Sequence, residues 1–323
     1  MMRPALVAIT VLLVMTGCST AAPADTEQPD DSTVAPFVID RDFPDPDVLL
    51  TGDTYYAYAT NGAGFNVQFA TSTDLESWDV HGQDALPILP SWSSPGKTWA
   101  PEVTEVSDGS FVMYFTAANT TPAAQCIGVA TSSSPEGPFA PIDDAPLVCP
   151  VADGGAIDAS TFRDYDGTLY LLFKNDGNCC GFDTWLQAVP LSADGLSLVG
   201  EPTRLIMQTE SWEGNLVEAP TLVKRADTYV LLYSANDYGG EEYATGYATA
   251  DSVLGPYTKP AEPLLTTESS GSRYLGPGGQ DVVVGPDGSD YLVFHSWDEL
   301  FIQRGMNVAK LTFDGGVPEV VLP

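Results

Sequence analysis

Residues 158–175, DASTFRDYDGTLYLLFKN, hold two short segments of alternating bulky and small residues around a polar turn at Asp166 and Gly167. Period-two alternation with aromatic and β-branched enrichment argues for strands rather than a helix. The aromatic member of this pair recurs four more times: GDTYYAYAT from Gly52, DGSFVMYFTA from Asp108, ADTYVLLYSA from Ala226 and DGSDYLVFHS from Asp287. Taking Tyr55, Phe111, Tyr170, Tyr229 and Tyr291 as equivalent, the steps are 56, 59, 59 and 62 residues. In most copies further strands follow. FNVQFATSTDLESW, CIGVATSSSPEGPF and ATGYATADSVLGPY each end in a polar turn and an aromatic, as a third strand running into a fourth would. A unit of four strands repeated five times predicts an all-β chain folded as a five-bladed β-propeller, its blades set around a central channel. A β-sandwich offers no reason for this period.

The segment ahead of each aromatic strand carries the chemistry. These segments read DPDVLL from Asp45, APEVTEV from Ala100, DASTFRD from Asp158, EAPTLVK from Glu218 and QDVVVG from Gln280, with first residues 55, 58, 60 and 62 apart. The first strand of each propeller blade lines the channel, so residues in one register converge on the axis. Three of these five positions are acidic: Asp45, Asp158 and Glu218. Taken singly, an acidic residue is usually a solvated one. Three in one channel would repel one another and raise their pKa values, which is costly unless a site uses it.

Outside the repeats, MMRPALVAITVLLVMTGC (1–18) has a basic start at Arg3, a short apolar run and small residues before Cys18, the pattern of a secretory signal. The run is shorter than the roughly 20 residues a bilayer span needs. Met15-Thr16-Gly17-Cys18 resembles the bacterial lipobox, which implies an exported protein with Cys18 lipidated at the outer face of the membrane. Residues 19–36 have almost no large apolar side chains and read as a flexible tether. Residues 37–323 then form one propeller domain. With 44 acidic against 12 basic residues and a net charge of −32, binding to nucleic acid or an anionic membrane surface is electrostatically opposed. The expected partner is a neutral molecule, with membrane contact only through the anchor and the chain acting as a monomer. Four cysteines remain after Cys18, and in an exported protein an even number favours disulfides. Cys126 is expected to pair with Cys149, leaving Cys179 and Cys180 as a vicinal bridge or two thiols; other pairings stay open.

These residues resemble family 43 of the glycoside hydrolases, inverting enzymes on a five-bladed propeller that release arabinose or xylose units from plant polysaccharides. The carriers are FPDPDV (43–48), WAPEV (99–103), GGAIDASTF (154–162), WEGNLVEAPTLVK (212–224), GPGGQDVV (276–283) and RGMNVAKLTFDGG (304–316), which together span nearly the whole mature domain. The resemblance implies Asp45 as general base, Glu218 as general acid and Asp158 as the residue that tunes and orients the acid. Arg304 resembles a family arginine near the substrate hydroxyls, and Trp99, Trp212, Gln280 and His295 are read from their places in or beside the motifs as further residues facing the sugar. Core packing is the alternative for the two tryptophans and for His295, and an ion pair for Arg304. Many arabinan-cleaving members have a histidine where this chain has Gln280, and there it helps to hold a central ion. The glutamine puts a calcium site in doubt, and no cofactor is expected to be required. Arabinofuranosyl substrates are favoured over xylosyl ones because the C-terminal sandwich domain common among the family's xylosidases is not seen. The alternatives are a β-xylosidase of the same family or a non-catalytic glycan-binding propeller, which should lack at least one acid. Retaining fructan-cleaving propellers carry Asn-Asp-Pro and Arg-Asp-Pro motifs; here Phe43 precedes Pro44-Asp45-Pro46, and Arg163-Asp164 is followed by Tyr165.

Overall fold

A computed structural model describes residues 34–322. The signal segment, Cys18 and most of the expected tether lie outside the described residues. Five antiparallel sheets follow one another along the chain, each in the simple order inner to outer. The inner strands are Asp47–Thr51, Ser93–Ser107, Ala156–Arg163, Val217–Arg225 and Leu275–Val284. Each turns into a second strand: Thr54–Ala59, Ser110–Thr120, Leu169–Asn175, Thr228–Ala235 and Asp290–Trp297. Four sheets have four strands, and the fourth has three, with its outer edge reduced to two isolated bridges, Thr245 with Leu265 and Thr249 with Thr258. The propeller read from the repeat period is therefore the fold.

Alternation explains why the blades stack. In the second strand of the third blade, Leu169, Leu171 and Phe173 face one way and Leu172 the other. Successive side chains of a strand point to opposite faces, so both faces of a blade bury apolar surface. The buried residues form five clusters, one at each junction between neighbouring blades. The last junction closes the ring by packing Val283, Val293 and Met306 of the fifth blade against Tyr55, Ala57 and Ala59 of the first. Ile39 and Phe43 join that cluster, and Ile39 bridges Met306. Ala35, within the span read as tether, is buried and donates its N–H to Arg273 O at 2.9 Å.

Cys126 is bonded to Cys149, and Cys179 to Cys180. The first pair ties the third strand of the second blade to the segment leading into the third blade, beside the bridge between Ile127 and Val148.

Candidate active site

The backbone repeats at the channel more exactly than the side chains do. Where each chain segment enters its inner strand, one residue takes a left-handed conformation: Asp45 (φ 55°), Ala100 (38°), Asp158 (55°), Ala219 (50°) and Gly279 (58°). Four of these are not glycine, a strain that persists only where surrounding structure enforces it. The enforcing contact also repeats. A side chain at the end of the preceding blade's second strand accepts the N–H of four of them. His295 Nδ1 takes Asp45 (3.0 Å), Thr60 Oγ1 takes Ala100 (2.9 Å), Thr116 Oγ1 takes Asp158 (3.3 Å) and Ser234 Oγ takes Gly279 (2.9 Å).

The third blade breaks this pattern, because Lys174 occupies the equivalent place and an ammonium cannot accept a hydrogen bond. Asp158 Oδ2 accepts the Ala219 N–H instead, at 3.0 Å. Lys174 donates to Glu218 Oε2 at 2.8 Å. The register differs here from the sequence expectation. Glu218 stands one residue before the left-handed position and Gln280 one after it, so neither is the strict equivalent of Asp45 and Asp158. A shift of one residue in extended backbone turns a side chain to the other side, and the left-handed residue beside each redirects it to the channel.

Asp45, Asp158 and Glu218 nonetheless line one cavity of about 660 Å³, together with Trp99, Gln280 and Arg304. Asp45 Oδ2 accepts from the Thr60 hydroxyl at 2.7 Å, and its Oδ1 lies 3.8 Å from Arg304 Nη1. Arg304 is itself held over the rings of Tyr238 (4.9 Å) and Trp297 (5.6 Å). Glu218 Oε1 accepts from the Tyr243 hydroxyl at 2.8 Å, so both of its oxygens are fixed. Burial, and then the Glu218 charge, push Asp158 up to about 8, against the opposing pull of Lys174. Burial holds His295 neutral, well below the usual histidine range, with Arg304 adding to the effect.

Two expected substrate contacts move elsewhere. Trp212 stacks on Tyr233 at 5.9 Å and fills the space beside Gly246, packing against the junction of the third and fourth blades. It is half-buried there and does not line the cavity. His295 is fully enclosed and acts behind Asp45, holding its backbone, rather than facing the channel. Gln280 reaches the cavity, but its Oε1 accepts from Ser234 and its Nε2 donates to Ala219 O. The Ser234 hydroxyl takes one of the two lone pairs of that oxygen. Among the described residues no group of three or more His, Cys, Asp and Glu is arranged to hold a metal.

Lys174 and Tyr243 were not foreseen. Lys174 had a signal: a lone cation inside the apolar run LYLLFKN of a chain with few cations. Tyr243 had none, since it comes from the start of a third strand and reaches Glu218 only in the folded ring. Deeper in the channel lies a second acidic layer, Asp47, Glu102 and Asp281, which clamps blade to blade. Asp47 Oδ2 accepts the Val103 N–H, Glu102 Oε1 the Thr161 N–H and Asp281 Oδ2 the Val48 N–H, at 2.8–2.9 Å. All three are pushed up, chiefly by burial, Asp281 to about 7.

Five blades around a funnel with carboxyl groups at its floor define a propeller of the glycosidase class. The chain belongs to family 43 of the glycosyl hydrolases, whose family model matches residues 36–318. It is 30% identical over 272 residues to a β-D-galactofuranosidase of Aspergillus niger, covering 78% of this chain and 73% of that one. An extracellular endo-α-(1→5)-L-arabinanase of Thermotoga petrophila is 27% identical over 251 residues, covering 67% of this chain and half of that protein's length. A crystal structure of a thermostable family-43 glycoside hydrolase superposes with a TM-score of 0.78 at 31% identity, covering 90% of this chain and 95% of that one. The protein is accordingly a glycoside hydrolase.

Proposed function

We propose that the protein cleaves arabinofuranosyl linkages of plant cell-wall glycans with inversion, using Asp45 as base and Glu218 as acid. The convergence of Asp45, Asp158 and Glu218 in one cavity carries this reading. Inversion needs one carboxylate to take a proton from water and one carboxylic acid to protonate the leaving oxygen from the opposite side of the ring. Asp45 is the most open of the pair, its side chain 24% exposed against 13% for Glu218. Thr60 occupies its Oδ2, which leaves Oδ1 for the attacking water. The O–H bond of that water breaks toward Asp45 as oxygen attacks the anomeric carbon, and the glycosidic C–O bond breaks as Glu218 gives its proton to the departing oxygen.

Asp158 serves the acid in two ways. Its bond to the Ala219 N–H fixes the residue next to Glu218, and its own carboxyl, pushed up to about 8, holds a proton beside Glu218 at neutral pH. Arg304, between two aromatic rings, offers donors to sugar hydroxyls beside Asp45. The galactofuranosidase relative acts on a furanoside by name, which favours a furanosyl ring here. The lipobox pattern at Cys18, the disulfides and the extracellular relative support export with a lipid anchor. A panel of aryl arabinofuranosides, galactofuranosides and xylosides, with arabinan and xylan oligosaccharides, tests the substrate. NMR of fresh product tests the mechanism: inverted configuration is expected, and retention would remove the base role from Asp45.

A further inference from the structure

The vicinal disulfide is the feature that neither the fold nor the proposed chemistry uses. Cys179 and Cys180 end the short 3-10 turn Gly177–Cys180, and both are exposed. A disulfide stabilises mainly in proportion to the chain it closes. Bonding neighbours closes almost nothing, whereas Cys126 and Cys149 are 23 residues apart. The turn is also held without it. Asn175 Nδ2 donates to Asp153 O and Asp183 O, the Asp176 N–H to Gly155 O and the Phe182 N–H to Gly177 O, at 2.9–3.1 Å. Gly177 packs so closely on Asp183 O that an added Cβ would sit 2.4 Å from it.

Position supplies the use. Cys179 lines the same cavity as Glu218, at the end of a segment that leaves the strand carrying Lys174. Between them, Asp176 feels the charges of both Lys174 and Glu218, so this segment borders the acid's side of the funnel. The acid faces the departing sugar, so that side receives the leaving group. Of the two cysteines Cys179 lines the cavity, where Asp176, Asn178, Asn215 and Asp237 bond hydroxyls and Leu216 and Tyr238 add apolar surface beside it. Sulfur is soft, polarisable and free of hydrogen-bond demands, and sugar sites combine an apolar surface for the C–H face with polar groups at the edge.

Resting on the glycosidase reading above, we propose that the Cys179–Cys180 disulfide is an apolar contact surface for a sugar ring of the glycan on the leaving-group side of Glu218. The test is calorimetry in a Glu218→Gln background with α-1,5-arabinotriose, xylotriose and free arabinose, before and after Cys179→Ser with Cys180→Ser. Covering two sulfur atoms resembles burying one or two methylenes, so the better-bound trisaccharide should weaken about four- to ten-fold, with arabinose unchanged. Unchanged trisaccharide affinity, an equal loss for arabinose, or no trisaccharide binding by the parent overturns the proposal. A Cys179→Ala, Cys180→Ala pair gives the same reading should the serine pair fold poorly. A chain with Glu218 intact that binds trisaccharide through the disulfide yet cleaves no glycoside would remove the catalytic reading and leave this surface standing.

Discussion

The rings of Tyr243 and His295 stack with centroids 5.8 Å apart and planes 10° from parallel. The stack joins the two ends of the proposed reaction. Tyr243 bonds Glu218 Oε1, and His295 bonds the backbone of Asp45. Tyr243→Phe keeps the ring and removes only the hydroxyl. Losing one hydrogen bond to a charged group, about 1.5–3 kcal/mol, should lower kcat about ten- to a hundred-fold. KM and the melting temperature should barely move, and a fall in melting temperature with unchanged kcat would make the contact structural.

Glu218→Gln keeps both hydrogen-bonded oxygen and nitrogen positions filled but cannot protonate a leaving group. Turnover of arabinofuranosyl oligosaccharides should fall about 10²–10⁴-fold. Substrates with a strongly acidic phenol as leaving group need less help and should lose much less. Steady-state rates on the two substrate types read the difference, and equal losses would argue against Glu218 as the acid.

Lys174 is enclosed, its ammonium bonded to Glu218 and also feeling the charge of Asp158. Lys174→Met leaves those acids without their cation. Removing one partner of a buried pair costs about 3–5 kcal/mol, so thermal unfolding should shift downward. The pH-rate profile should change as well, because Lys174 opposes protonation of Asp158. A stable variant with an unaltered profile would rule out this electrostatic role.

Asp158→Asn tests the proton kept in the site. Asparagine keeps an oxygen for the Ala219 N–H but cannot hold or release a proton. The limb of kcat near pH 8 that ionisation of Asp158 produces in the parent should disappear. A limb that stays in place would separate Asp158 from the acid.

The deeper layer predicts how stability depends on pH. A carboxyl whose pKa is higher in the folded chain stabilises fully below its unfolded value of about 4 and loses that contribution as pH rises through the folded value. Asp281 at about 7, with Asp47 and Glu102 also raised, should make the melting temperature fall as pH rises from weakly acidic toward 8. Glu102→Gln retains an acceptor for Thr161 and removes one charge, so the fall should become shallower. Differential scanning calorimetry across this range checks both slopes.

Much of the site was already present in the repeated segments. The strands quoted from Gly52, Asp108, Asp166, Ala226 and Asp287 contain Thr60, Thr116, Lys174, Ser234 and His295 at or next to their ends. Four of those hold the next blade's left-handed residue and the fifth holds Glu218. Their chemical variety hid a shared position, since a hydroxyl, an imidazole and an ammonium share no pattern of hydropathy. Trp212 was misplaced because an aromatic beside a motif looks the same whether it faces a sugar or fills the gap over Gly246.

By itself the sequence determined the number of blades, the strand alternation and the three acids at the channel, because these depend on the order and spacing of neighbouring residues along the chain. The tertiary structure alone decided the left-handed register, the enclosure of His295, the pairing of Glu218 with Lys174 and Tyr243, and the place of the vicinal disulfide in the funnel wall. Those features depend on contacts between blades, such as the bond between Asp45 and His295 across 250 residues. No local periodicity carries that information, since it arises only when the ring closes and sets the first blade against the fifth.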